Sequence, residues 1–365
     1  DLAETSHAIQ FFLDDLHLLA DGRSLESLSR LLDQIPPNAG FVVASRMAMP
    51  FPLGRLRMER AVVEIGSADL AMDIDEARAT SMAAGVELDD GQLGALVART
   101  EGWVAGLAWA TMTMQATSDT TSLVDKVGSV DGEFAEYLIE EVLEQRSPEL
   151  RTFMLESSIL TRFNASLCDQ VRGCTDSRLL LEELDRTNSF IVPLDRDGEW
   201  FRYHHLVHEV LKTRLGRESP STVPTLHRRA ASWLREHDEI AESIHHSRAG
   251  GERIAAADTL CANWWEMMNR GRLDTVHSLF EEIGDAEICA YQPLAIAATF
   301  LYSLAGDDQR AHVYFGAAES GYFDGQPPDG SASIESARAI LRGSVSFHGV
   351  DATLDAGLKA CDLEP

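Results

Sequence analysis

The stretch IQFFLDDLHLL at residues 9–19 sets two adjacent carboxylates, Asp14 and Asp15, at the end of an apolar run. Acids at the carboxyl end of a buried strand match the Walker B element. There the first carboxylate holds Mg2+ through water, and the second orients or activates the water that attacks a terminal phosphate. A second apolar run, FVVA at 41–44, is followed by Ser45 and Arg46, and a guanidinium at a neighbouring strand end can meet the charge of that phosphate. The plainer alternative is that Asp14 caps the next segment and Asp15 is solvated. The pairs His204-His205 and His245-His246 raise the question of a metal. Adjacent helical positions point about 100° apart, whereas His204 and His208, at i and i+4, can share an ion. Without an HExxH frame, a structural or nucleotide-contact role is the expectation.

These side chains act only if secondary structure holds them in place. IQFFL and FVVA have the composition of buried parallel strands. Between them LESLSRLLDQI repeats Leu at helical spacing until Pro36 and Pro37 stop it. Functional groups of an open parallel sheet gather at the carboxyl ends of its strands, so this unit brings Asp14, Asp15, Ser45 and Arg46 to one edge. AVVEI at 61–65 is expected as a third strand. From Asp73 to about Met114 the pattern is helical, with DIDEARATSMAAG as one segment and DDGQLGALVARTEGWVAGLAWATMTM as at least two more. Within EGWVAGLAW, Gly102 and Gly106 flank Trp103. Each glycine costs a helix about 1 kcal/mol relative to Ala. Either a helix starts at Gly102, or another backbone or a ligand comes close.

Further on, EFAEYLIEEVLEQR (133–146) and PELRTFMLESSIL (148–160) are amphipathic helices, the second opened by Ser147 as cap and Pro148 in the first turn. After LLLEELDRT comes FIVPLDRDGEWFRYHHLVHEVLKTRL, two alternating strands across the turn DRDG and then a helix. Helices, a hairpin and a helix make a winged helix. Around the wing Arg186, Arg196 and Arg202 are outnumbered by Glu182, Glu183, Asp185, Asp195, Asp197 and Glu199. The module is therefore expected to pack within the protein rather than read a DNA groove. From about residue 223 helix pairs recur, with turns near Asp238, Gly271, Gly306 and Gly349. Their spacing of roughly 33 to 43 residues is close to the tetratricopeptide period, with an insertion at GYFDGQPPDGS.

Composition narrows the function. A formal charge of −28 over 365 residues argues against a broad grip on a phosphate backbone. Cys168, Cys174, Cys261, Cys289 and Cys361 form no CxxC pair, so neither a zinc site nor a disulfide framework is suggested, and a reducing cytoplasm fits. No apolar stretch reaches about 18 residues, and no membrane contact is expected. The phosphate-cradling GxxxxGK[ST] loop does not occur in these residues. That absence, the start without Met and the end without a polar capping helix lead to the expectation of a piece of a longer protein.

In order and content these blocks resemble the large ATP-dependent LuxR-type transcriptional regulators of the MalT type, within the STAND signal-transduction ATPases. The resemblance is carried by FFLDDLHLL, VVASRMAMPFPLGRLRMERAVVEIGSADLAM, TEGWVAGL, EFAEYLIEEVLEQRSPELRTFMLESSIL and GEWFRYHHLVHEVLKTRL, then LHRRAASWL and EIAESIHHSRAGG. It implies a mainly α chain with an N-terminal α/β fragment. Residues 1–72 would be part of a P-loop NTPase sheet, 73–146 a helical domain, 147–219 a winged helix, and 220–365 a TPR-like α-solenoid sensor.

The resemblance implies an ATP/ADP switch with a small-molecule or protein inducer on the repeats, self-association on activation, and DNA bound only through a C-terminal domain not in this sequence. Asp14 and Asp15 match the catalytic Walker B acids, Asp14 reaching Mg2+ through water, and Arg46 matches the sensor arginine. Gly102 and Val104 fall in the segment that lies against adenine, with Val104 in place of a proline. His204 matches the winged-helix histidine that reaches the ADP β-phosphate. The family implies slow ATP hydrolysis, which this chain alone should not perform. Two rival expectations are a nucleotide-independent helical-repeat scaffold and a metal hydrolase using the Asp pair, for which no third ligand is visible.

Overall fold

The computed structural model describes residues 8–16, 19, 21–45, 49, 52–115, 143, 146–187, 190–195, 197–345 and 349–364. Arg46, Arg196 and nearly all of the helix expected at 133–146 lie outside them. The chain divides into two compact units, Asp1–Pro220 and Ser221–Pro365.

The first unit begins with β1 (Ile9–Leu13), α1 (Gly22–Asp33) and β2 (Ala39–Val43). The strands pair in parallel with Ile9 opposite Ala39 and Leu13 opposite Val43, and Phe11 stacks on Phe41 at 4.8 Å. Asp21 caps α1 by accepting from the Ser24 amide. A short α2 (Gly54–Met58) follows. The expected strand at 61–65 is not one. Val63 and Ile65 are 86% and 66% exposed, and the segment is turned back by Arg60 at φ 54° and by the Arg57–Glu64 pair at 2.6 Å. An apolar run makes a strand only where a sheet edge receives it.

Next come α3 (Ile74–Ala83), α4 (Asp90–Thr100) and α5 (Val104–Gln115). The first two open with reciprocal capping boxes, Asp73 with Glu76 and Asp89 with Gln92. Ala77, Leu93, Leu96, Leu107 and Met114 share one core.

The winged helix consists of α6 (Pro148–Ser157), α7 (Ala165–Arg172), α8 (Ser177–Arg186), β3 (Ile191–Pro193), β4 (Phe201–Tyr203) and α9 (His205–Glu218). Ser147 and Pro148 open α6 as expected. The wing strands are antiparallel, Ile191 opposite Tyr203, and the Asp195 carboxylate closes the turn by accepting from the Glu199 and Trp200 amides. Phe201 and Tyr203 face inward, where the Tyr203 hydroxyl meets that of Ser157 at 2.7 Å.

The second unit is all helix among the described residues: α10 (Val223–Glu236), α11 (Ile240–Ala249), α12 (Arg253–Asn269), α13 (Leu273–Ile283), α14 (Asp285–Ala290), α15 (Gln292–Ala305), α16 (Asp308–Ser320), α17 (Ile334–Ser344) and α18 (Val350–Leu363). Asp238, Gly271, Gly306 and Gly349, the turn positions expected from the repeat spacing, all have φ between 62° and 87°. A continuous apolar core runs from Ile240 to Tyr314. His227 of α10 and His246 of α11, both buried, join through their Nδ1 atoms at 2.8 Å. No helix among the described residues is long and apolar enough to cross a membrane.

Candidate functional site

At the sheet edge, the parallel register brings the carboxyl ends of β1 and β2 together. Beyond the strands the pairing continues: the Ala44 amide donates to the Leu13 carbonyl at 2.8 Å and the Leu16 amide to the Ala44 carbonyl at 3.0 Å. Asp14, Asp15 and Ser45 therefore leave the sheet side by side. Both acids are solvent-exposed. Asp14 accepts from the Asp15 amide at 2.9 Å, and Asp15 sits at φ 52°, a left-handed conformation that Asp tolerates better than most residues. The sequence expected these residues at one edge, and the described ones are there.

A second cluster forms where residues 100–106 meet the wing. Helix α4 ends with Glu101 at φ 49° and Gly102 at φ 72°. Gly102 accepts from the Met72 amide at 2.8 Å, and a Cβ on it would lie 2.7 Å from the Met72 carbonyl oxygen. No other residue fits. The close approach is thus of backbone on backbone, which gives Gly102 a structural reason for being glycine. Gly106 is less constrained: a Cβ there would come to 3.3 Å from a methyl of Leu206 on α9, a side chain rather than backbone. Val104, on the first turn of α5, is 45% exposed.

The left-handed turn aims the Glu101 carboxylate at the wing. Arg202 of β4 grips it with both arms, at 2.8 and 2.9 Å, and the His205 amide at the start of α9 donates to it at 3.0 Å. Burial would raise the Glu101 pKa, but Arg202, the His205 amide and neighbouring positive charge together hold it below the ordinary carboxylate value. His204 caps α9. Its amide donates to the Phe190 carbonyl at 2.8 Å, and its ring meets Trp103 edge-on at 5.9 Å. Its Nδ1 is buried without a hydrogen-bond partner. Desolvation lowers the His204 pKa, against the opposing pull of Glu101 and of the Thr100 carbonyl that the ring approaches. A buried polar atom left unpaired costs about 1–3 kcal/mol, so a native protein seldom keeps one without a use.

His204 and His208 do not converge. His208 Nε2 hydrogen-bonds the Ser158 carbonyl at 2.7 Å on the helix-bundle side, while His204 faces Trp103. The acid-thiol group Asp169, Cys174 and Asp176 is the only set of three donors near enough to share an ion among the described residues, and Arg172 already neutralises Asp176 at 2.6 Å. The residue that sequence reasoning missed is Glu101. Its signal was an acid directly before a left-handed glycine, joined to an outward-facing arginine on a strand whose neighbours Phe201 and Tyr203 point inward.

Residues 139–223 match the family described as the MalT winged helix domain. The chain is 30% identical over 298 residues to the serine/threonine-protein kinase PknK of Mycobacterium tuberculosis, an alignment covering 81% of this chain and 27% of the relative. It is 29% identical over 307 residues to the HTH-type transcriptional regulator MalT of Vibrio campbellii, covering 82% and 34%, and 30% identical over 299 residues to that of Vibrio parahaemolyticus, covering 80% and 33%. The chain spans about a quarter to a third of the length of these relatives. Among solved structures, a signal transduction ATPase with numerous domains and a tetratricopeptide repeat sensor from Pyrococcus horikoshii aligns with a TM-score of 0.48 at 13% identity, covering 97% of this chain and 49% of that one.

Proposed function

We propose, for a chain that carries a MalT winged helix domain and is homologous to MalT and PknK over about four-fifths of its length, that it is the switch region of an ATP/ADP-dependent transcriptional regulator. In this reading the region couples inducer sensing to nucleotide exchange and self-association. A region common to a protein named as a kinase and to proteins named as HTH-type regulators supports a module that serves an output rather than being one. The wing adds to this, because Arg202 is spent inside the protein on Glu101 and is not offered to a phosphate backbone.

One observation carries the proposal: the unpaired Nδ1 of His204, at the seam between residues 100–106 and the winged helix. A nucleoside diphosphate fits that donor set. Bound nucleotide would supply phosphate oxygens and, as ATP, a hydrolysable anhydride. His204 would donate to one oxygen, and that partner would favour the charged imidazole that desolvation otherwise suppresses. Glu101 stays compatible with an anion nearby because Arg202 and the His205 amide absorb its charge. Asp14 would hold Mg2+ through water, Asp15 would orient the attacking water, Arg46 would sense the terminal phosphate, and Gly102 and Val104 would flank the base. DNA binding and inducer-driven assembly belong to the whole protein in this proposal. Hydrolysis likewise needs a P-loop from outside these residues.

The test uses the full-length gene product. His204→Ala is expected to speed ADP release by about one to two powers of ten, the worth of one charge-assisted hydrogen bond, and to raise uninduced reporter output. His205→Ala, whose ring is exposed, is expected to do less. An unchanged ADP off-rate in folded His204→Ala protein would refute the switch role and favour a nucleotide-independent scaffold.

A further inference from the structure

The second unit contains a cavity of about 780 Å3 between α12, α15, α16 and α17, a size typical of small-molecule sites. One wall is aromatic. Trp264 and Trp265 meet edge-on at 5.4 Å, and Trp264 stacks with Phe300 at 6.2 Å. Trp264 is 6% exposed and serves the core, whereas Trp265, which also lines the cavity, is 52% exposed. Polar groups line the cavity as well. Ser303 Oγ is buried with no hydrogen-bond partner. The Asp308 carboxylate makes no ion pair among the described residues, although its neighbour Asp307 reaches Arg310 at 3.7 Å. His312 lies against the same turn, its Nδ1–H donating to the Asp308 carbonyl at 2.7 Å.

Charge decides the class of ligand. Neither Lys nor Arg lines the cavity, and the chain as a whole carries −28, so an anion would meet repulsion without a partner. A cation meets an aromatic wall and a carboxylate. We infer that this cavity binds an organic cation, an amine or quaternary ammonium with an aromatic or branched apolar body. The body lies along Trp264, Trp265 and Phe300, and the charged nitrogen lies between the Trp265 face and Asp308. Ser303 takes a hydrogen bond from the ligand. The inference deepens the proposed function by giving the inducer a chemical class.

Calorimetry on the 365-residue chain, without nucleotide, separates this inference from the switch. The probes are phenethylamine and its neutral counterpart 2-phenylethanol. The amine is expected to bind saturably and at least about ten-fold more tightly than the alcohol, the ratio that cation–π and carboxylate contacts supply. Asp308→Asn is expected to erase most of that ratio and leave alcohol binding unchanged. Trp265→Leu, at an exposed position, is expected to weaken the amine about ten-fold in a protein with unaltered helicity. Equal affinity for the two probes would overturn the ligand class, and no saturable binding of either to folded protein would overturn the site. Because nucleotide is absent, failure here leaves the His204 measurement untouched.

Discussion

Two carboxylate sites in the first unit are built in opposite ways. At the sheet edge Asp14 and Asp15 stand in solvent, with Asp14 engaged by the amide beside it. At the seam Glu101 is three-quarters covered, gripped by both arms of Arg202 and by the His205 amide, about a hundred residues away in sequence. Folding covers the second carboxylate and leaves the first pair exposed. A charge neutralised by the fold is a joint, whereas a charge left in water stays accessible to a metal or a ligand. The difference predicts that substitutions of Gly102, Arg202 and Glu101, which hold the seam together, are read in stability and those at the edge in function.

The largest effect belongs to Gly102→Ala. With φ at 72° and backbone atoms of Met72 at 2.7 and 2.9 Å from the new Cβ, the turn must either strain or separate, at about 2–4 kcal/mol of unfolding free energy. Urea denaturation that finds a change within about 0.5 kcal/mol would show that the approach at Met72 is not tight in solution.

Next comes Arg202→Gln, which leaves Glu101 covered without its main partner and is expected to cost about 2 kcal/mol. Glu101→Gln made on top of it should restore part of the loss, and a double-mutant cycle measures the coupling. The wild-type contribution depends on acid. Because the folded Glu101 pKa is depressed, the unfolded chain binds the proton first. The stabilisation is then complete above the ordinary value near 4.5 and is lost as pH falls through the depressed one. Glu101→Gln should flatten that acid limb.

The smallest effect on stability is expected of Asp14→Asn, within about 0.5 kcal/mol for an exposed side chain. If the edge is a nucleotide site, the same substitution in the full-length gene product should still abolish magnesium-dependent hydrolysis. A large stability change would place Asp14 with Glu101 as a structural residue and erase the comparison.

Local signals in the sequence foretold the elements well. Ser147 caps the helix it precedes, the two expected wing strands pair, and the four repeat turns fall at left-handed residues. Where the meaning of a residue depends on what lies across from it, pattern failed. Val63 and Ile65 have strand composition and no sheet to join. Arg202 counts as one more wing charge until Glu101 is beside it, and Asp14 with Asp15 was legible because the parallel pairing that places them is itself local, a strand, a helix and a strand.

The hydrogen bond from the Met72 amide to the Gly102 carbonyl makes one backbone proton hostage to the seam. That proton can exchange with deuterium only in states where the turn at 100–103 has lifted off the chain before α3. Met72 thus keeps an isotopic record of how often the junction opens, at a position outside both the wing and the strand ends, and the rate would be readable without any ligand or substitution.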